Sequence, residues 1–132
     1  MKRLDQLEVD FYKCSDIEQA ISLTMETQLD DVMVSIHDTQ GKYLELSSTV
    51  TALLGYGQHE MIGTSAYDHF HPDDFQAILL SHAKVTIRPE VDRVEYRLRK
   101  ANREYIDVYT LSKPIKGESG EDRLLALTVK RR

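Results

Sequence analysis

Histidine and carboxylate side chains crowd into residues 68–74 of the chain. The members of this group are Asp68, His69, His71, Asp73 and Asp74. Imidazole and carboxylate groups are the ligands that divalent ions take in proteins, so a metal site is one interpretation. The other is structural, because a histidine just before Pro72 can cap a helix whose first turn holds two acidic residues. We favour the structural role and predict no metal site.

The common signatures of catalysis are missing from the sequence. It has no phosphate-binding loop, no Gly-x-Ser-x-Gly motif and no His-Glu-x-x-His motif. Cys14 is the single cysteine, which excludes an internal disulfide and is typical of a reducing compartment. We therefore predict no catalytic residues, a protein that is not an enzyme, and a cytoplasmic location.

Size and charge narrow the choice of partners. The 132 residues suffice for one domain with one core, and the hydrophobic share of 41% is that of an ordinary globular protein. A formal net charge of -5 argues against nucleic acid as a partner of this domain. No apolar run approaches the roughly 18 residues that a membrane helix needs, so this segment is expected to make no membrane contact.

The first 29 residues carry two helical patterns. The first is interleaved with charges and lacks a cap, so it indicates only a helical extension; its apolar residues are Leu4, Leu7 and Phe11. The second opens with a capping box formed by Ser15 and Glu18. Apolar residues then recur at every fourth position, namely Ile17, Ile21, Met25 and Leu29. We predict a helix over residues 15–29, and an N-terminal extension (1–29) ahead of a domain spanning 30–132.

The rest of the chain alternates between strand and helix signals. Five segments have the period of β-strands: residues 32–37, 43–46, 94–99, 105–111 and 124–129. Between residues 48 and 85, glycines and Pro72 break the chain into short helices, the longest of which opens at Pro72. This order predicts an α+β domain with one five-stranded antiparallel sheet and short helices on one face.

Four short motifs follow one another along this domain. They are Asp-x-x-Gly at Asp38 to Gly41, Leu-Leu-Gly-Tyr at Leu53 to Tyr56, Glu-Met-Ile-Gly at Glu60 to Gly63, and His-Pro-Asp-Asp at His71 to Asp74. In this order, and followed by Glu95, Tyr96 and Arg97, they resemble the motifs of the PAS family over about residues 30–129. The resemblance implies a sensory module that binds a small ligand or relays a signal to a C-terminal effector. That effector would be a histidine kinase, as in two-component systems, a diguanylate cyclase or a transcriptional regulator, with this chain as the input segment of a bacterial-type signalling protein.

Two positions depart from the family pattern. The turn before the fourth strand is usually Asp-Gly, whereas this chain has Asn102 and Arg103, and arginine resists a positive φ. The Asp-Ile-Thr sequence that commonly follows the last strand is replaced by Lys130 and Arg131 at its first two positions. We expect an unusual turn at the first position and an altered linkage to the effector at the second.

A ligand cavity is expected between the helices and the sheet face that alternation assigns inward, the face of Val34, Ile36, Val94, Tyr96 and Val108. The candidate lining residues are Ile36, Leu53, Tyr67, His71, Phe75, Ile78, Leu79, Tyr96, Val108, Thr110, Leu125 and Leu127. This set is mostly apolar, and Tyr67, Tyr96, Thr110 and His71 supply the few polar groups that orient a ligand. The alternative is that the same side chains fill the core and leave no space.

Two further interpretations remain open. The chain could be a ligand-free homodimerisation module, since the opposite sheet face is also apolar; its interface candidates are Ile21, Met25, Tyr105, Tyr109 and Leu111. It could also be a heme sensor, because heme-binding relatives use a histidine near the helix that opens at Pro72, here His71 or His82. Both histidines have plainer roles at helix ends, and Cys14 lies outside the core where flavin-binding relatives carry their cysteine. We therefore make no firm prediction of a bound cofactor.

Overall fold

The computed structural model describes residues 3–87 and 90–131. Its helices are α1 (Leu4–Lys13), α2 (Ile17–Glu26), α3 (Val50–Leu54), α4 (Gln58–Met61) and α5 (Phe75–Ile87). Its strands are β1 (Val32–His37), β2 (Tyr43–Leu46), β3 (Asp92–Arg99), β4 (Tyr105–Lys116) and β5 (Asp122–Lys130). The predicted α+β architecture and the five strands are confirmed. In the described ranges, no helix is both long and apolar enough to cross a membrane.

Helix α1 forms over Leu4–Lys13, although the sequence pattern there indicated only a weak helical extension. Leu7 and Phe11 are both 0% exposed because α1 lies on the sheet. Lys113 of β4 holds the end of the helix: its Nζ donates to the carbonyls of Phe11, Tyr12 and Cys14, at 3.2, 3.1 and 2.6 Å. Carbonyls at a helix C-terminus run out of intrahelical donors, and a cation there also complements the dipole. Contacts distant in sequence thus stabilise this helix.

Helix α2 is shorter than the predicted 15–29, and its cap differs by one residue. The carboxylate of Asp16 accepts a hydrogen bond from the backbone N–H of Gln19 at 2.9 Å, so Asp16 is the N-cap. The side chain of Gln19 in turn accepts from the backbone N–H and the hydroxyl of Ser15. The box predicted for Ser15 and Glu18 is therefore wrong, since aspartate serves as a cap as well as serine does.

The sheet has the strand order β2-β1-β5-β4-β3, and all neighbours are antiparallel. It separates two layers of buried side chains. The outer layer, under α1 and α2, includes Val34, Ile36, Leu111, Leu125 and Leu127. The inner layer, under the short helices, includes Met33, Tyr96, Leu98 and Val108. Both faces of the sheet are thus covered within a single chain.

The inward assignment of Val34, Ile36, Leu125 and Leu127 is wrong. The register pairs Val34 with Leu127 and Ile36 with Leu125, and all four lie in the outer layer. All six residues of β1 are buried, because helices cover both faces of the sheet. Alternation therefore carries little information in β1, and a shift by one residue exchanges the two faces. On β3 and β4 the inward assignment was correct for Val94, Tyr96 and Val108, the partly buried Val94 packing against the inner layer.

The chain between β2 and β3 forms the helical cover of the inner layer. Two 3₁₀ turns, Ala66–His69 and Pro72–Asp74, lead directly into α5. The side chain of His71 accepts a hydrogen bond from the backbone N–H of Asp73 at 3.1 Å and so caps the second turn, as the sequence predicted. Ile78 and Ser81 of α5 face the core and are each 7% exposed. Leu79 is 53% exposed, so its predicted place on the core face is wrong.

The β3–β4 hairpin turns through the unusual Asn102-Arg103 pair. Arg103 has a φ of 74°, and within the described ranges it is the one residue other than glycine with a positive φ. The side-chain carbonyl of Asn102 accepts from the backbone N–H of Glu104 at 3.0 Å, which supports the turn locally. The backbone N–H of Ala101 donates to the carbonyl of Leu54 at 2.7 Å and ties the turn to the end of α3. These bonds hold Arg103 in the strained conformation.

Candidate ligand cavity

A cavity of about 80 Å³ lies between the inner face of the sheet and α5. Polar and small side chains of the sheet form its floor, and aromatic and helical residues close it. The lining residues are Ser35, His37, Gly41, Tyr43, Ala66, Tyr67, Phe70, Ile78, Ser81, His82, Val85, Val94, Tyr96, Thr110, Ser112, Leu124, Ala126 and Thr128. The cavity would hold roughly five to eight waters, at about 10–15 Å³ for each.

Ala126 of β5 creates the space on the sheet floor. The register places Ser35 of β1 on one side of it and Ser112 of β4 on the other. Directly paired residues of an antiparallel sheet project from the same face, so three small side chains stand in one row. Where a row of larger residues would fill the core, this row leaves room above it. The cavity thus follows from small residues placed side by side on three strands.

Three hydroxyl groups form a chain along the next part of the floor. The Tyr96 hydroxyl lies 2.7 Å from the Thr110 hydroxyl, which lies 2.9 Å from the Thr128 hydroxyl. All three side chains are buried, and burial raises the pKa of Tyr96, so its phenol stays protonated. Three O–H groups share two hydrogen bonds in this chain, so one of the three O–H groups remains to donate elsewhere.

His37 forms a second polar group on the floor. Its Nδ1 lies 3.4 Å from the carbonyl oxygen of Gly41, and its Nε2 lies 2.8 Å from the Ser35 hydroxyl. Since a carbonyl can only accept, Nδ1 carries the proton of the neutral ring, and Ser35 donates to Nε2. Burial lowers the pKa of His37 to about 4, so the ring is neutral near pH 7. The Ser35 oxygen is thereby left as an acceptor toward the cavity.

Tyr67 and His82 close one side of the cavity. The Tyr67 hydroxyl and Nδ1 of His82 are 3.1 Å apart, and both residues are partly exposed. The Tyr67 ring lies against Gly41, where a Cβ atom would come within 2.9 Å of Cε2 of that ring. Glycine at this position therefore permits the close approach, and its φ of 87° suits the turn as well. Burial lowers the pKa of His82, which favours its neutral form.

The lining of this cavity is uncharged near neutral pH. None of the lining residues that lie in the described ranges is Asp, Glu, Lys or Arg. Ser81 donates to the Asp92 carboxylate, which is not itself among them. The two histidines are neutral, and burial also raises the pKa of Tyr43. A charged ligand would lose its hydration here without gaining a counter-ion.

The structure places the candidate lining residues in four regions. Tyr67, Ile78, Tyr96 and Thr110 line the cavity. Leu53 and Val108 are buried in the inner layer but do not reach the cavity. Ile36, Leu125 and Leu127 belong to the outer layer on the opposite face, for the reason given above. Phe75 and Leu79 lie outside, 37% and 53% exposed, because α5 directs Ile78 and Ser81 inward instead.

His71 is not a lining residue, because its ring lies over Tyr105 at a centroid distance of 4.8 Å. Nor do the residues of the 68–74 group converge: His69 packs against Tyr56, and Asp74 binds Arg97. In the described ranges no group of three or more such side chains could hold a metal ion. A heme does not fit here either, since 80 Å³ is far below the about 300–1,000 Å³ of sites for larger ligands.

Several polar residues of the cavity were missed by sequence reasoning. They are Ser35, His37, Ser81, Ser112 and Thr128. The available signal was the positions of Ser35 and His37 in β1, where polar residues alternate with Val34 and Ile36. If only one face of the sheet were covered, these positions would face solvent. Helices cover both faces, so Ser35 and His37 are buried on the inner face. A few buried polar groups that converge on a mostly apolar space are typical of a ligand site.

The predicted dimer surface is largely covered inside the chain. Leu111 is 5% exposed and packs in the outer layer with Leu7 and Phe11 of α1, so its assignment to an interface is wrong. Ile21 packs against the same layer, and the Tyr109 hydroxyl donates to Glu8 of α1 at 3.1 Å. Met25 and Tyr105 are 76% and 39% exposed. The N-terminal helices occupy the place that a second subunit would have taken.

Comparison with known proteins places this arrangement in one family. The sequence model described as the PAS fold matches residues 43–128. Protein cycle of Drosophila melanogaster is 35% identical over 78 residues, which are 58% of this chain and 19% of that protein. Human basic helix-loop-helix ARNT-like protein 1 is 38% identical over 52 residues, 39% of this chain and 8% of that protein. The chain therefore spans under a fifth of the length of these curated relatives.

Solved structures agree with this family. The PAS-B domain of Drosophila melanogaster Cycle with bound ethylene glycol has a TM-score of 0.70 and 28% identity, covering 75% of this chain and 99% of that domain. A variant of that domain with bound glycerol matches to the same extent. The PAS domain of an HTR-like protein from Haloarcula marismortui covers 98% of this chain with a TM-score of 0.70, and at 18% identity it shows the fold alone. On the matched sequence and the shared fold, this chain belongs to the PAS family.

Proposed function

We propose that this PAS domain is a non-catalytic sensory module that binds a small molecule in the cavity and relays its presence to the rest of the protein. The observation that carries the proposal is the convergence of buried hydroxyl and imidazole groups on a space of about 80 Å³. Protein cores are close-packed, so a space of this size lined by polar groups can hold either ordered water or a small ligand. The glycerol and ethylene glycol bound to the related PAS-B domain of Cycle support a small ligand.

The cavity spans elements on which a signal could act. Its floor belongs to β1, β4 and β5, and its helical side belongs to α5. A ligand that contacts both sides favours one spacing between helix and sheet, and it shifts the population toward that state. We propose that an effector receives this shift beyond β5. Of the three expected outputs, the names of the basic helix-loop-helix relatives favour a transcriptional regulator. A cytoplasmic location for the sensor remains part of the proposal.

A thermal-shift screen of neutral and charged metabolites tests this function. A compound that binds only the folded state should stabilise it by about 2.7 kcal/mol at a hundredfold excess over Kd. In the variant Ala126→Val the added methyl groups narrow the cavity, so the same compound should give a much smaller shift. Ala77→Val, on the exposed side of α5, is the matched control and should respond like the wild type. No shift with any compound, or equal shifts in all three proteins, would contradict ligand binding.

A homodimerisation module is the second candidate, with a different surface from the one predicted. On α5, Leu79, Leu80 and Ile87 are 53%, 59% and 78% exposed. Leu80, Ala83 and Ile87 follow one another at intervals of three and four residues, the spacing of a helix-pairing seam. A helix that is apolar on its outer side as well is usually covered. We therefore propose that a second copy of this chain packs its α5 against this row.

Sedimentation equilibrium over a range of protein concentrations tests the dimer. Leu80→Gln should weaken association at least tenfold because it replaces a large apolar side chain of the row with a polar one. Met25→Gln, on the exposed part of α2, is the control and should leave association unchanged. A monomer at all concentrations would contradict the dimer, and an effect of Met25→Gln alone would return the interface to the N-terminal helices.

A further inference from the structure

The polar groups of the cavity are arranged so that they select one chemical class of ligand. Resting on the proposed ligand-binding function, we infer that the ligand is an uncharged molecule of about five to eight non-hydrogen atoms, with a hydroxyl or carbonyl acceptor next to a hydroxyl or amide donor. A vicinal diol and a small hydroxy-amide are examples. Size, charge and the direction of the hydrogen bonds each contribute to this assignment.

Volume sets the size of the ligand. A space of about 80 Å³ corresponds to roughly five to eight water-sized groups, since one such group needs about 10–15 Å³. Tyr67 and Phe70 pack edge to face at 5.1 Å on one side, and Ile78 and Val85 of α5 close another. A ring system with substituents therefore exceeds the space, whereas a three- or four-carbon chain fits.

The neutrality of the ligand follows from the lining. His37 hydrogen-bonds through both ring nitrogens to uncharged partners, Ser35 and Gly41, and its pKa lies well below neutrality. His82 is paired with the Tyr67 hydroxyl. In the described ranges no carboxylate, ammonium or guanidinium group lines the cavity to neutralise a charged ligand. An ionised group would be buried without a partner, which costs far more than the burial of a paired hydroxyl.

The hydrogen-bond pattern assigns one donor and one acceptor to the floor. Ser35 donates its hydroxyl hydrogen to Nε2 of His37, so its oxygen can accept a hydrogen bond from the ligand. Either hydroxyl of each pair can donate in the chain of Tyr96, Thr110 and Thr128; we assign the direction from Tyr96 to Thr128, which leaves the O–H of Thr128 to donate to the ligand. Ser35 pairs with Ala126 in the register, and Thr128 is two residues along the same face of β5. The acceptor and the donor thus flank the small side chain that creates the space.

The acceptor and the donor lie on neighbouring strands of the same sheet face, so one small ligand can contact both. A ligand with one polar group can satisfy only one end, and it leaves a buried donor or acceptor without a partner. The floor therefore favours a ligand that carries both a hydrogen-bond donor and a hydrogen-bond acceptor.

NMR titration with four probes of similar size tests the inference. Propane-1,2-diol and lactamide carry both groups without charge, propan-1-ol lacks one hydroxyl, and lactate is the charged counterpart of lactamide. Dissociation constants come from the methyl shifts of Ala66, Ile78 and Ala126, which line the cavity. This readout separates binding from the general stabilisation that polyols give by exclusion from the protein surface. We expect the diol and lactamide to bind at least tenfold more tightly than propan-1-ol and lactate.

Two variants locate the recognition. Ser35→Ala and Thr128→Val should each weaken binding of the diol at least fivefold and leave propan-1-ol less affected. Ser48→Ala and Thr86→Val replace the same residue types at exposed positions and should bind like the wild type. Equal affinities for all four probes, or tighter binding of lactate, would overturn the inference while leaving a ligand site in place. Binding of no probe, together with no hit in the metabolite screen, would overturn the proposed function as well.

Discussion

The guanidinium of Arg97 on β3 donates to both carboxylate oxygens of Asp74, from Nε at 3.0 Å and from Nη2 at 2.9 Å. The same carboxylate accepts from the backbone N–H of Arg97 at 2.8 Å. Asp74 stands at the entrance to α5, so this pair joins the helix that closes the cavity to the edge strand of the sheet. These hydrogen bonds hold the pKa of Asp74 below its usual range.

Asp74→Asn is expected to destabilise the fold by about 1–2 kcal/mol, because it removes a charge-assisted pair that is partly open to solvent. Asp73→Asn is the control, since the neighbouring Asp73 side chain is 77% exposed. Because the folded-state pKa of Asp74 is depressed, its contribution is present above the unfolded pKa of about 4 and is lost as pH falls through the folded value. Urea unfolding at several pH values measures both effects. Equal losses in the two variants would contradict the role of the pair.

His37 predicts a second pH dependence at higher pH. Its folded-state pKa is about 4, while an unfolded histidine titrates near 6.5, so the unfolded chain binds the extra proton between these values. The free energy of unfolding should therefore rise with pH across this window, by as much as about 3 kcal/mol from this group. His37→Gln should flatten the profile between pH 4 and 6.5 relative to the wild type. His59→Gln, at an exposed position, should leave the profile unchanged; a wild-type slope in His37→Gln would contradict the assignment.

His69 is 7% exposed, and neither of its ring nitrogens has a hydrogen-bond partner within the described ranges. The ring packs edge to face against Tyr56 at 5.1 Å and Tyr43 at 6.3 Å. His69→Phe keeps an aromatic ring and removes two buried polar atoms, so it should stabilise the fold by about 1–3 kcal/mol. Chemical denaturation with a fixed m-value gives the difference. Destabilisation by the phenylalanine would show that the imidazole has a polar partner.

Arg103 gives a prediction about the backbone. A residue with a side chain pays about 1 kcal/mol or more for a left-handed conformation, and glycine does not. Arg103→Gly should therefore raise the free energy of unfolding by about 1 kcal/mol, whereas Arg103→Ala should not. Thermal unfolding of both variants measures the difference. Lower stability of the glycine variant would mean that the arginine side chain stabilises the turn by more than the backbone costs.

The fold could be predicted from sequence where local chemistry and pattern agree. Gly41, with a φ of 87°, and the His71 cap both lie where the motifs placed them. The inner and outer faces of β1 could not be assigned, because all six of its residues are buried. In such a strand the alternation of side chains does not distinguish a buried face from an exposed one. Helix α1 could not be predicted as stable, since Lys113 holds its end from about a hundred residues away in the sequence.

The cavity was harder to predict than the fold. Tyr67, Tyr96 and Thr110 line the cavity and are among the candidates that the sequence offered, because they are polar residues in apolar surroundings. Ala126 was not identified, although it makes the space, since an alanine in a strand has no chemical signature. Its effect appears only when the register sets Ser35 and Ser112 beside it. A cavity is a property of several strands together, and no single segment of sequence encodes it.

The most direct test of the central claim is a methyl-resolved NMR titration of the wild-type chain with propane-1,2-diol. If a ligand binds in the cavity, saturable shifts are expected at the methyl groups of Ala66, Ile78, Val85 and Ala126, which line it. Methyl groups of Ala20 and Leu23, on the far side of the sheet, should stay in place. Shifts that grow linearly and uniformly across both layers, or no shift at the cavity residues, would contradict a ligand site in this domain.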